Sequence, residues 1–405
     1  MSKGARGLLP PACVPVFIQW ILMLIVHLFS EDRNKLRMEN KLSNLESMVV
    51  YDLMVVLKYL NKKDKGALRA SSTTLRRRID ELEKTFKIWR IHGEVDSVRL
   101  RRLSDEICTI QELAIYPLIT PGCGPVFNYL VEKHKELESI SIEFVGHEDT
   151  DENKDQDEIV LTTLSHNNLK SITIYGMKNT GDITGRLPST YPNLVKLQLT
   201  DWHKLSDKGL MKILRRYRSN LRELKLDCSN ITGVGIKRGV KSLPNLESLT
   251  LISCSNLENG ELVEILSISG SKLRYLDVSY TSIPGLGLDK IFKSLPNLET
   301  LIMNGCKELS NRELLEILSI PGSKLRYLDV SWTSITGVGF KNGVKSLPML
   351  ENLWLAFCDE LTEGGLLEIL STAGNRLKTV HVNGETVAEE TLRIQYPSIQ
   401  FNFVF

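Results

Sequence analysis

The sequence has almost no excess charge of either sign. It holds 51 Lys and Arg against 49 Asp and Glu, a net charge of +2. With an isoelectric point near 8.0, there is no global basic field of the kind that draws a chain to nucleic acid. Its 7 cysteines are spread singly, with no C-x-x-C pair and no Cys/His cluster. The odd count and the scatter argue against a disulfide scaffold and a zinc site, and point to a reducing compartment. No Ser–His–Asp set, metal-ligand set or phosphate loop stands out, so the chain is read as a non-enzyme without a cofactor. What remains is ordinary for a folded protein, at 42% hydrophobic and 25% charged. At 405 residues it is too long for one compact core, so it holds either several domains or a repeat array.

Long apolar runs are also scarce. One occurs, VPVFIQWILMLIVHLF at 14–29, broken by Gln19 and His27. It is short for a spanning helix, which takes about 20 residues. It is close to a signal-peptide core, but no small-x-small cleavage site follows. Lys3 and Arg6 precede it, whereas Arg33, Lys35, Arg37 and Lys41 follow. Were it an anchor, that asymmetry would leave the rest of the chain in the cytosol. An apolar helix packed on the body, an incidental extension and a cleaved signal remain alternatives, and residues 1–36 are set apart for that reason.

The body of the chain repeats itself. SKLRYLDVSYTSI at 271–283 returns as SKLRYLDVSWTSI at 323–335. The phrase L-x-x-L-x-L, with conservative replacements, starts at Leu169, Leu194, Leu221, Leu246, Leu273, Leu298, Leu325, Leu350 and Leu377. Its steps alternate between 25 and 27 residues, and fainter copies begin at Ile110 and Leu137. This period and phrase are the leucine-rich-repeat signature. The fourth and sixth positions alternate with polar ones, as in a strand that buries one side. A turn and an amphipathic stretch such as RELLEIL (312–318) follow. One unit cannot bury its own apolar face, but stacked units share a core. The predicted fold over 105–405 is therefore an α/β solenoid with a curved parallel sheet inside and helices outside.

The longer units carry a cysteine at the ninth position, Cys254, Cys306 and Cys358. In this they resemble the cysteine-containing leucine-rich repeats of the ribonuclease-inhibitor-like superfamily, common in F-box proteins. These cysteines are expected to fill the core. GVGIKRG (233–239) and GVGFKNG (337–343) have G-x-G-x-x-x-G spacing rather than that of a dinucleotide fingerprint, and read as repeat punctuation. The acidic run EDTDENKDQDE at 148–158 is expected to be a solvated loop.

Between the apolar run and the repeats lies LESMVVYDLMVVLKYLNKKDKGALRASSTTLRRRIDELEKTFKIWRI, 45–91. Leu53, Val56, Leu57 and Leu60 form one helical stripe. Asp64 suits an N-cap for KGALRASS. With Leu75, Arg76, Ile79, Asp80 and the later Trp89 and Arg90, the segment resembles an F-box. It departs from that pattern in lacking the Leu-Pro opening, in Lys65 and in Ser72. The resemblance implies a small all-α domain over 42–92 that docks a Skp-type adaptor and its cullin complex through Leu53, Val56, Leu57, Leu60, Asp64, Leu75 and Ile79. A helical cap over the first repeat is the plainer alternative.

With the fourth and sixth positions inward, the third, fifth and seventh face the inner curve. Tyr275, Asp277, Tyr327, Asp329 and Trp354, with Asn304 and Lys225, are the candidates there for holding a protein substrate. Tyr280 and Trp332 lie at strand ends and read as plugs for the turn. The F-box resemblance implies a recognition subunit of an SCF-type cullin-RING ubiquitin ligase, cytoplasmic or nuclear. A repeat scaffold or receptor without ubiquitin function, anchored or secreted, is the alternative.

Overall fold

The computed structural model describes residues 88–404. Within that span it leaves out 107–109, 119–121, 145–151, 177–192, 203–204, 228–230, 235–239, 258, 270–271, 283–291, 294, 319, 321, 341–348, 373–375 and 385–388. The chain divides into two compact units, Met1–Phe86 and Lys87–Phe405. The apolar run and the F-box-like residues Leu53, Val56, Leu57, Leu60, Asp64, Leu75 and Ile79 fall in the first unit, outside the described residues.

The second unit is a leucine-rich-repeat solenoid. Thirteen strands form one sheet in chain order, each hydrogen bonded to the next. They are β1 (Ile88–Val95), β2 (Glu112–Leu118), β3 (Ser139–Phe144), β4 (Ser171–Tyr175), β5 (Lys196–Thr200), β6 (Glu223–Asp227), β7 (Ser248–Ile252), β8 (Tyr275–Asp277), β9 (Thr300–Ile302), β10 (Tyr327–Asp329), β11 (Asn352–Leu355), β12 (Thr379–Asn383) and β13 (Gln400–Val404). All pairings are parallel. The connections carry helices α1 (Ser97–Glu106), α2 (Cys123–Lys133), α3 (Glu152–Ser165), α4 (Asp207–Tyr217), α5 (Asn259–Ser269), α6 (Asn311–Leu318), α7 (Glu363–Thr372) and α8 (Glu389–Gln395).

The register follows from the leucine phrase. Its fourth positions stand side by side, Leu224 against Leu249, then Leu276, Leu301, Leu328 and Leu353. All are at most 2% exposed. Slipping one strand by one residue would turn its leucines to the other face, so burial locks the register. Strands sit about 4.8 Å apart whereas helices need about 10 Å. A stack with helices on one side therefore bends toward the sheet, which becomes the inner face.

Local signals place the helices. Ser206 caps α4, its Oγ accepting from Gly209 N–H at 3.1 Å. Before α6, the Glu313 carboxylate reaches back to accept from both the N–H and the hydroxyl of Ser310, the side-chain half of a capping box. Between units, Tyr217 donates from its hydroxyl to the carbonyl of Leu164 at 3.0 Å. Cys306 and Cys358 are buried, and their thiols point at the carbonyls of Val278 and Val330 in the preceding unit, at 3.3 and 3.2 Å. Burial pushes both thiols above their ordinary range, the opposite of a nucleophile's tuning.

The alternation of 25 and 27 has a physical counterpart at the sheet edge. Arg222 pairs with Glu247 at 2.9 Å, Arg274 with Glu299 at 3.1 Å, and Arg326 with Glu351 at 3.0 Å. Lys378 closes on Glu351 from the other side at 2.6 Å. One kind of unit brings the cation and the other the carboxylate. Two units of the same kind side by side would set like charges together. Each exposed pair contributes little stability; their sequence-wide order favours one stacking.

The glycine phrases are internal joints. Asn311 Oδ1 accepts from Thr336 N–H and Gly337 N–H, both at 3.1 Å. Asp207 Oδ1 does the same for Thr232 and Gly233 at 3.1 and 2.8 Å. Gly337 has φ 77°, and a Cβ there would lie 2.5 Å from the carbonyl carbon of Gly365. Those amides are thus engaged by the neighbouring unit and do not form a phosphate cradle.

Three expectations are corrected. The sheet begins at Ile88, so Trp89 and Arg90 lie in β1 rather than in the tail of the helical domain, and the solenoid starts ahead of residue 105. The strand reading was missed because β1 lacks the leucine phrase. The acidic run is not a loop throughout: from Glu152 it belongs to α3, where Gln156 is buried and Glu158 accepts from Asn128. The last strand, Gln400–Val404, also lacks the phrase and carries Phe401 in the leucine column. Among the described residues no helix is long and apolar enough to cross a membrane.

Leu328, with no exposed surface at mid-sheet, makes a direct test. Leu328→Ala should cost about 2–5 kcal/mol, read as a lower urea midpoint by circular dichroism. A loss below about 1 kcal/mol would contradict a tightly shared interior. The second test uses pH. Burial holds the imidazoles of His134 and His166 below the ordinary value of 6.5. The unfolded chain then binds more protons, so this stability is present above 6.5 and is lost as pH falls below it. The urea midpoint should drop between about pH 7 and pH 5, and drop less in His134→Gln.

Candidate functional site

The helix-free face of the sheet is built from rows of out-facing residues, each row crossing the strands. The third-position row runs Ser248, Tyr275, Thr300, Tyr327, Asn352, Thr379. The fifth-position row runs Lys225, Thr250, Asp277, Ile302, Asp329, Trp354, His381 and Asn402. Seventh-position residues, including Ser279, Asn304 and Ser331, follow the strands on the same face.

These rows are more crowded than the alternation suggests. Asp277 and Asp329 are only 6% and 7% exposed. Asp277 Oδ1 accepts from Ser279, from the N–H at 3.0 Å and from Oγ at 2.6 Å. The Tyr275 hydroxyl lies 3.5 Å from its other oxygen. Asp329 Oδ1 accepts from Ser331 N–H at 2.9 Å. Burial raises the Asp277 carboxyl above its ordinary value, and the Asp329 charge adds to that, against the Ser279 hydrogen bonds and Lys225. Both phenols respond in the same direction. Burial first, then the neighbouring carboxylates, push Tyr275 and Tyr327 to about 12.

The aromatic candidates are half-buried rather than fully exposed. Tyr327 and Trp354 are in ring contact, centroids 6.4 Å apart. Trp354 in turn stacks on His381, at 3.5 Å and 10° between planes. His381 was missed from sequence because its phrase, LKTVHV, carries no aromatic or acidic neighbour. Only the register sets it beside Trp354. Its second nitrogen, Nε2, meets Asn402 Nδ2 at 3.1 Å. Tyr275, Asp277, Tyr327, Asp329 and Trp354 thus gather on four neighbouring strands with Asn304. Lys225 stands two strands further on, 3.6 Å from Asp227.

No protein-family model matches the sequence, and no curated protein matches it. Among solved structures the chain is similar to the crystal structure of the Rad7 and Elc1 complex in yeast, with a TM-score of 0.45 and 15% identity over 98% of each chain. The fold assignment rests on the thirteen-stranded sheet itself.

The strand ends differ from expectation. Tyr280 and Trp332 are 53% and 50% exposed, so they lie over the turn instead of plugging it. Both have left-handed backbone, φ 55° and 59°, a conformation shared along the row by Asp201, Ser253 and Phe357. The Tyr280 ring covers Gly305, where a Cβ would come within 2.5 Å of it. Trp332 stacks on Phe357 at 4.4 Å. The result is an aromatic rim along one margin of the acidic and aromatic rows. Among the described residues no group of His, Cys, Asp and Glu could hold a metal ion.

His381 reports this geometry. Burial lowers its imidazole below the ordinary value, while Asp329 opposes the shift. Removing that charge should lower it further. Imidazole NMR titration should therefore give His381 a value below 6.5, and a still lower one in Asp329→Asn. A rise in that variant would contradict the placement of Asp329 beside the Trp354–His381 stack.

Proposed function

We propose that this chain is the substrate-recognition subunit of an SCF-type cullin-RING ubiquitin ligase. The observation that carries recognition is the helix-free face, where Tyr327, Trp354 and His381 adjoin the carboxylates of Asp277 and Asp329. Half-buried large aromatics beside hydrogen-bonding groups are the composition of protein-binding hot spots. The ligase half of the reading rests on the F-box-like pattern at 45–91. Leu53, Val56, Leu57 and Leu60 would supply one apolar stripe to a Skp-type adaptor, with Asp64 starting the second helix and Leu75 and Ile79 packing the third.

In this reading the chain performs no chemistry of its own. It ties a protein substrate to the ubiquitin-loaded enzyme, so that transfer occurs at the high effective concentration of a tethered pair. The cysteine-containing repeats, similar to those of F-box proteins, support the same pairing of domains. The cullin complex places the protein in the cytosol or nucleus, and an anchor at 14–29 would still leave the repeats on the cytosolic side.

Co-expression with a Skp-type adaptor tests the reading. The full chain should retain the adaptor through affinity capture and gel filtration, and Leu57→Asp with Leu60→Asp should lose it. Asp277→Asn, on the other unit, should retain it. An intact chain that captures no adaptor would sink the ligase reading and leave a repeat protein with a helical cap.

A further inference from the structure

The two near-identical phrases YLDVSY (275–280) and YLDVSW (327–332) do not end in the same hydrogen bonding. In the first, Ser279 Oγ donates to Asp277 at 2.6 Å. In the second, only the Ser331 backbone reaches Asp329. Ser331 is 3% exposed, yet its Oγ has no partner among the described residues. Asn304, between the two serines in the seventh-position row, likewise has a buried Oδ1 without a partner. A buried polar group left unsatisfied is costly unless something supplies the missing bond.

The unsatisfied set has one chemical character. Asn304 Oδ1 can only accept, and Ser331 Oγ can accept after rotating its hydroxyl, beside the carboxylate of Asp329. Asp277 adds a second carboxylate two strands away, across Ile302. The cation nearest in the fifth-position row, Lys225, already sits against Asp227 at 3.6 Å. His381 is held toward its neutral form by burial. The face therefore presents acceptors and negative charge with an apolar residue between them. Tyr280 and Trp332 remain half exposed, in the left-handed turn that Asp201, Ser253 and Phe357 share at the same place in their units.

We propose that this cluster, Asp277, Asn304, Asp329 and Ser331, with the half-exposed Tyr280 and Trp332 following it along the chain, receives an arginine side chain from a basic segment of the protein bound on the inner face. A guanidinium carries five donors and no acceptor, and its plane stacks on aromatic rings. It matches a set of spread acceptors better than a point-charge ammonium does. This inference rests on the inner face being the recognition surface, and it names the chemistry that face selects.

The test is an oriented peptide array probed with the full chain. Each pool of degenerate decapeptides fixes Arg, Lys, Ala, Glu or phosphoserine at its centre. The arginine pool should bind about tenfold or more above alanine, the range of a charge-assisted hydrogen bond. Lysine should bind more weakly than arginine, and lysine equal to arginine would overturn the guanidinium assignment. Asp277→Asn with Asp329→Asn should abolish the preference while the circular dichroism spectrum is unchanged. Trp332→Ala should weaken it. If the double variant does not fold, the intact chain decides through salt: arginine binding should fall severalfold between about 50 and 300 mM NaCl. Preference for glutamate or phosphoserine, equality of alanine with arginine, or no pool retained would overturn the proposal. Adaptor capture is scored separately on the same preparation, so loss of the basic preference with capture intact sinks this inference and not the ligase reading.

Discussion

Every unit of this solenoid depends on its neighbours for a core. The fourth- and sixth-position leucines of one strand meet only the same positions of the next, and the helix behind them closes the other side. Burial of an aliphatic side chain contributes about 1.5–3 kcal/mol, while ordering each residue's backbone costs about 1–2 kcal/mol. A lone repeat of some twenty-five residues cannot balance that cost. Thirteen strands in chain order can, because each interior leucine is shared by two interfaces. The same constraint fixes the register: a strand slipped by one residue would leave its leucines against a polar row.

That shared interior also explains why the chain repeats in pairs. The apolar column would accept any order of units. The edge would not. Arg222, Arg274 and Arg326 each find a glutamate one unit on, and Thr281 and Thr333 each find the cysteine of the following unit, at 3.7 and 3.6 Å. Each contact is weak alone. Together they distinguish the alternating stack from a stack of like units, and they make the two-unit block the natural piece to duplicate. The near-identical phrases at 271–283 and 323–335 are such a block written twice.

Duplicated scaffold does not mean duplicated chemistry. Tyr275–Asp277 and Tyr327–Asp329 are the same words, but Tyr327 leans on Trp354 and through it on His381, whereas Tyr275 faces its own aspartate. Tyr280 lies over a glycine and Trp332 over a phenylalanine. In a repeat stack the surroundings of each out-facing residue come from units about 25 residues away on either side. Copies therefore diverge in function as soon as their neighbours differ.

The same fact divides what could be read from the sequence from what could not. The period-2 alternation of the leucine phrase is local, so the sequence alone determined the strands from Ile110 onward, their parallel order, the inward face and the buried role of Cys254, Cys306 and Cys358. It missed β1 and β13, whose strands have no leucine phrase, and the helix carrying Glu152–Glu158. It named Tyr275, Asp277, Tyr327, Asp329, Trp354, Asn304 and Lys225 as out-facing, and overlooked His381. Only the tertiary structure decided that Asp277 and Asp329 are nearly buried, that His381 stacks on Trp354, and that Tyr280 and Trp332 form a rim. Facing outward is a property of one strand's pleat. Exposure, protonation and stacking are set by register between strands far apart in the chain, and no single phrase contains that information.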